Sequence, residues 1–188
     1  MDTEVQCVGR TMNRLFLSLL ALACVNVYAA TLEKLSVSQM AQQSTQIVRG
    51  KITNCAGEAR GSVLYTRCGV AVSETWKGAS VKQISFAVPG GRVGNLLQTF
   101  TGTPKFNPNE EYVLFLWTGR SGVPQIIGLS QGIFDITFTP SGAAMVKREA
   151  TTELMLDSKG KQVRDEAINI TVGELRAIVD GALSGVTR

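Results

Sequence analysis

The chain has 188 residues, 44% hydrophobic and 18% charged, so it is long enough for one domain and apolar enough to bury a core. It contains no histidine, which excludes Ser-His-Asp and Cys-His catalysis and His-ligated zinc. A net charge of +4 is too small to imply a nucleic-acid partner, and 19 glycines fit a turn-rich β protein.

Arg14 precedes an apolar run from Leu15 to Ala23, which continues through Val27 and Tyr28 to Ala30. A basic start, a short apolar core and small residues at its end compose a secretory signal peptide over residues 1–29, with the mature chain beginning near Ala30. Leu15 to Ala30 is 16 residues, short of the ~20 that a spanning helix needs. Asp2 and Glu4 sit ahead of the basic residues, which makes Met12 the more natural start. The same residues leave two alternatives open. One is an uncleaved anchor helix. The other is a lipoprotein anchored at Cys24, since Ala21-Leu22-Ala23-Cys24 loosely resembles a lipobox.

Cleavage would remove Cys7 and Cys24 and leave Cys55 and Cys68. An exported pair of cysteines reads as one structural disulfide. Its short loop would contribute about 3 kcal/mol by limiting the unfolded chain. A redox pair would need Cys-x-x-Cys spacing or an adjacent base, and neither is present.

Leu32 to Ser44 has a helical apolar stripe with Ser36 or Ser38 as a cap. Gln46 to Thr53 alternates as a first strand, and Asn54 to Ser62 reads as a polar connector. Val63 to Trp76 is a long β-branched and aromatic strand, with Gly69 marking a bulge. Lys77-Gly78 turns the chain into a third strand, Val81 to Val88. A long segment follows from Pro89 to Asn109. Its Leu96, Leu97, Phe100 and Phe106 predict packing back onto the body.

Glu111 to Trp117 is a buried strand by its near-continuous apolar character. Pro124–Leu129 and Gly132–Phe138 are further strands, and Pro140-Ser141-Gly142 turns into Ala144–Val146. Residues 147–170 are polar and read as loop or as a short strand near Ala167 to Ile170. Thr171 and Glu174 have capping-box spacing, and Val172, Leu175, Ile178, Val179 and Leu183 form one face of a final helix. The expected organisation is a β-barrel domain over 30–150 and a C-terminal extension with its helix over 151–188. The expected fold is mainly β, a small antiparallel Greek-key barrel of the OB type with a short N-terminal and a C-terminal helix.

Several short strings recur in a suggestive order: Ile47 to Ile52, then Val72-x-x-Thr75-Trp76-Lys77-Gly78, Pro89-Gly90-Gly91, Gly102-x-Pro104-x-Phe106 and Glu110-Glu111-Tyr112-x-Leu114-Phe115-Leu116. This order, over roughly residues 32 to 147, resembles a group of uncharacterised exported bacterial proteins. They look distantly similar to the netrin-like module of the tissue inhibitors of metalloproteinases, an OB-type barrel. The resemblance implies a barrel and a binding role. Those inhibitors chelate zinc through an N-terminal cysteine, whereas here Cys55 lies well inside the chain, so that mechanism does not transfer.

Pro89-Gly90-Gly91-Arg92-Val93-Gly94 offers backbone amides and Arg92 to an anion, or serves only as tight turns; no Gly-Lys-Ser/Thr follows it. Glu58, Glu74, Glu110, Glu111 and Asp135 are the carboxylates available for a two-carboxylate mechanism, which nothing else supports. No Ser-x-x-Lys stands in a helical setting. Residues 30–141 hold 10 basic and 6 acidic residues and 142–188 hold 7 of each, so the barrel half carries the basic excess.

The expected function is therefore an exported, non-enzymatic binding module without cofactor or metal. Its partner would be a protein, such as a secreted protease, engaged through the 89–109 loop. The expected contacts are Gly90, Gly91, Arg92, Lys105 and Phe106. The alternative is a binder of anionic polymer, glycan or envelope surface on the barrel face, and a carboxylate-only enzyme is a third reading. No nucleic acid is expected.

Overall fold

The structure is a computed structural model that describes residues 31–151 and 153–185. The expected signal peptide over 1–29, the alternative start at Met12, Cys7 and the lipobox-like stretch at Cys24 lie outside the described residues.

The chain opens with strand β1 (Thr31–Glu33) and helix α1 (Val37–Gln43). The helix starts later than its apolar stripe suggests. Ser36 is extended and caps it, its hydroxyl accepting from Gln39 N while Gln39 accepts from Ser36 N. Leu32 is instead paired in a strand, opposite Met155.

Strands β2 (Gln46–Arg60) and β3 (Val63–Lys77) then form a hairpin of 15-residue arms. Residues 54–60, expected to be a connector, are strand; only Gly61 and Ser62 turn, with Gly61 at φ 60°. Their polarity reflects an arm wetted by solvent, where a cross-strand Arg67–Glu58 ion pair replaces apolar contacts. Strand β3 does bulge, with Trp76 and Ser73 as extra residues, but opposite Gly69 the extra residue lies on β2. Ile52 pairs with Val70 and Asn54 with Gly69, so Thr53 is the extra residue, and a Cβ on Gly69 would sit 2.6 Å from its hydroxyl.

The remaining strands are β4 (Gln83–Pro89), β5 (Gly91–Val93), β6 (Leu96–Gln98), β7 (Glu111–Thr118), β8 (Pro124–Ile126), β9 (Ile133–Phe138), β10 (Ala144–Arg148), β11 (Leu154–Leu156), β12 (Gln162–Val163) and β13 (Ile168–Thr171). Helix α2 (Val172–Leu183) ends the described chain. Thr171 caps it, with Glu174 closing the capping box. No helix among the described residues is long and apolar enough to cross a membrane.

The main sheet runs β13-β10-β9-β7-β2-β3-β4-β8, and β8 pairs again with β7. The path β7-β2-β3-β4-β8 therefore returns to its start. Every pairing along it is antiparallel except β4 with β8, which meet at Ala87 and Gln125. Residues beyond 150 join the same body, β13 against β10 and β11 against β1.

Strand β7 explains its own composition. Tyr112, Leu114 and Leu116 pack with Val48, Ile52, Val70 and Phe86 in one core cluster. Val113 and Phe115 point the other way, to Ile47, Phe134 and the helices' Met40, Leu175 and Val179. Both faces are buried, so both alternating sets are apolar. Burying one such side chain contributes about 1.5–3 kcal/mol.

A polar node ties the ends of the chain to this body. Buried Gln131 accepts from Leu35 N at 2.9 Å and donates to Glu33 O at 2.9 Å. Arg148 pairs with Asp165 at 2.8 Å, with only 8% and 2% of these side chains exposed. It also donates to the Gln131 and Glu166 carbonyls, while Asp165 accepts from Thr151 N.

Candidate functional site: a cleft over the disulfide

Cys55 and Cys68 face each other across β2 and β3, their Cα atoms 4.1 Å apart, and form a disulfide. Cross-strand neighbours this close fit the narrow pairs of an antiparallel ladder. Cys68 is fully buried in the core cluster that holds Val70 and Phe86.

Two stretches of chain rise over this bond. After β4, Gly90 takes φ 84°, a backbone that favours glycine, and its N–H donates to Leu64 O at 2.8 Å. That amide is thus engaged, and Gly90 shapes the site more than it offers a donor. The β5–β6 hairpin follows, turning at Gly94 and Asn95. It lies directly on the β2 arm, where a Cβ at Gly57 would overlap the Arg92 carbonyl oxygen. Gln98 pins the hairpin further by accepting from Leu64 N at 2.7 Å.

The chain then returns through residues 99–110. Phe106 packs edge-on against Phe86 and Tyr112, with ring centroids 5.0 and 5.4 Å away, and is partly buried against that core cluster. Asn109 N donates to Ile52 O, and Ile52 N to Glu110 O, which fastens the segment beside β2.

Between hairpin and return segment lies a cleft of about 540 Å³ with the disulfide among its walls. Gly90, Gly91, Arg92, Lys105 and Phe106, far apart in role, all border it. Its titratable lining side chains are Arg92 and Lys105, with no carboxylate among them. Neither cation has an ion-pair partner among the described residues.

The expectation that Leu96, Leu97, Phe100 and Phe106 all pack back holds for Phe106 alone. Leu96, Leu97 and Phe100 are 66%, 58% and 44% exposed. The two-stranded ribbon of three-residue strands is too small to cover its own side chains, and among the described residues no further strand pairs with it. Leu97 and Phe100 both border the cleft. Gly94-Asn95 is a local signal for the hairpin turn, but no local signal marks Leu97 and Phe100 as exposed.

The hairpin's seat on Gly57 gives a direct test. Gly57→Val should displace β5 while leaving the remote core intact. Trypsin should then cut after Arg92 roughly tenfold faster, as expected for a locally opened strand. Unchanged cleavage would show that the hairpin is not held by this contact.

The carboxylates lie elsewhere. Glu110 accepts from Tyr112 Oη and Asn107 Nδ2, and these bonds hold its carboxyl below the usual range. Glu111 accepts from Arg49 Nε at 2.8 Å, and Glu74 from Arg49 Nη1 at 2.8 Å. The Trp76 indole N–H, followed by Arg49, lowers Glu74. Glu110, Glu111 and Asp135 border one open depression, where desolvation and then Glu110 push Asp135 up. Among the described residues no group of three or more His, Cys, Asp and Glu side chains is arranged to hold a metal.

No family model and no curated protein matches this chain.

Proposed function

We propose that the chain is an exported, non-enzymatic module that binds a protein partner at the cleft bordered by residues 90–107. The observation that carries this reading is the pairing of exposed Leu97 and Phe100 with a concave site of about 540 Å³. Large apolar side chains at a concavity are what partner recognition uses, and isolated monomers rarely leave them bare together. Arg92 and Lys105 as the titratable lining groups favour binding over acid–base catalysis, since no carboxylate lines the cleft with them.

The β7-β2-β3-β4-β8 circuit supports a closed five-stranded barrel of the OB type, and with it the netrin-like resemblance. Phe106 and the disulfide then mark one end of that barrel, and the cleft is its mouth. Export is supported by the disulfide, which persists where thiols are oxidised.

The test uses point variants, because the 89–109 segment also carries the core residue Phe106. The wild-type chain and a Leu97→Ser, Phe100→Ser variant are used to capture cross-linked proteins from extracellular and envelope fractions. Two exposed anchors should be worth about 2 kcal/mol or more together, a roughly 30-fold loss of the captured partner. Equal capture by both chains would overturn the reading. Capture of polyanion instead, falling steeply as salt rises, would favour the anionic-polymer alternative.

A further inference from the structure

The cleft has a chemical polarity and an open backbone edge that together specify what kind of chain it takes. Strand β6 pairs with β5 on one side, and no strand pairs with it on the other among the described residues. The ladder satisfies backbone groups on one side only, which leaves a short template for another extended chain. Edges of this kind are normally blunted by charge, proline or a covering loop. Here the edge residues are Leu96, Leu97 and Gln98, with Leu96 and Leu97 exposed. Alternation places Leu97 at the cleft, whereas Leu96 is not among the cleft's lining residues.

The charge of the site is equally one-sided. Arg92 on β5 and Lys105 on the return segment border the cleft, and no carboxylate balances them there. Glu58, the acidic residue on the nearby β2 arm, is already engaged by Arg67 and Arg60. An incoming basic segment would meet two cations without compensation, while an acidic one would gain two partners.

Resting on the protein-binding reading above, we propose that the partner engages this site through an extended acidic segment. It adds as a strand to the free edge of β6, seats an apolar side chain between Leu97, Phe100 and Phe106, and places a carboxylate against Arg92 and Lys105. Main-chain hydrogen bonds supply the general affinity of strand addition, and the pocket and the two cations supply the choice of sequence. The space available, about 540 Å³, suits one or two side chains and not a folded domain, so the rest of the partner stays outside.

The experiment selects random ten-residue peptides displayed on phage against the immobilised full chain, with counter-selection on an Arg92→Glu, Lys105→Glu variant. Selected peptides should alternate apolar and acidic residues and be poor in lysine and arginine. A synthetic peptide of the leading sequence should lose about tenfold in affinity against the charge-reversed variant. It should lose as much again when alternate backbone nitrogens are methylated, which removes strand donors and keeps the side chains. Neutral or basic peptides would overturn the acidic rule, and full binding by the methylated peptide would overturn strand addition. Recovery of no peptide at all would overturn the proposal outright. In each of those cases a partner captured through Leu97 and Phe100 would leave the protein-binding reading standing, so the two failures are distinguishable.

Discussion

Asp165→Ala should be among the most damaging single substitutions in the chain, lowering stability by about 3–5 kcal/mol. The carboxylate is almost wholly enclosed and neutralises Arg148, which is itself 8% exposed. Its removal strands a guanidinium that has lost its charge partner and keeps only the Gln131 and Glu166 carbonyls and the Phe134 ring. It also frees Thr151 N, so the loop that leads into β11 loses an anchor. For a chain of this size the melting temperature should fall by about 6–20 °C. The paired variant Arg148→Met, Asp165→Leu separates causes. Removing both charges should recover much of the loss, because the cost lies in an unpaired buried charge and not in the absence of an ion pair. If Asp165→Ala melts like the wild type, the node does not hold the two ends of the chain.

The second large effect concerns the disulfide. Replacing both Cys55 and Cys68 by alanine should cost about 3 kcal/mol, read as a melting temperature lower by about 6–12 °C. The bond closes a short loop, with 13 residues of separation, and Cys68 is part of the interior packing around Val70 and Phe86. The distal arm beyond residue 55 and the hairpin resting on Gly57 should become exchange-labile first. Amide exchange on Asn54–Arg60 and Gly91–Gln98 should therefore rise more than on β7. A uniform rise across the chain would mean that the bond acts only through the unfolded state, without a local role at the cleft.

How much of this was legible in the sequence depended on whether a signal was local. The alternation in Gln46 to Thr53, the β-branched and aromatic content of Val63–Lys77 and the apolar run in Glu111–Thr118 identify strands, because burial on one or both faces writes itself into neighbouring residues. Thr171 and Glu174 identified the start of the last helix for the same reason. Asn54–Arg60 was not legible as strand, since an arm wetted on its faces has no apolar alternation and is held by its ladder to β3. Strands β1 and β11 are three residues each and pair across most of the chain, a contact organised by Gln131. The return of the strand path to β7 rests on one β4–β8 pair, for which no short-range signal exists.

The cleft shows the same division. Arg92, Lys105 and the glycines stood out as charge and turn residues on a long segment. That they border one space follows from the hairpin folding onto Gly57 and from Phe106 entering the interior, both contacts with distant residues. Leu97 and Phe100 carried an apolar signal that reads equally well as core. Only their exposure among the described residues, at a two-stranded ribbon, separates the two readings.

The most direct test of the account is position-specific. A photo-cross-linking amino acid is placed at Leu97, and separately at Ile178, an apolar residue on α2 that is 40% exposed. Both chains are irradiated among the proteins of their native compartment. A discrete protein adduct is expected from position 97 that is absent from position 178 and is lost when Arg92 and Lys105 are replaced by glutamate. No adduct at 97, or the same adduct from both positions, would contradict the claim that this cleft is where the protein meets its partner.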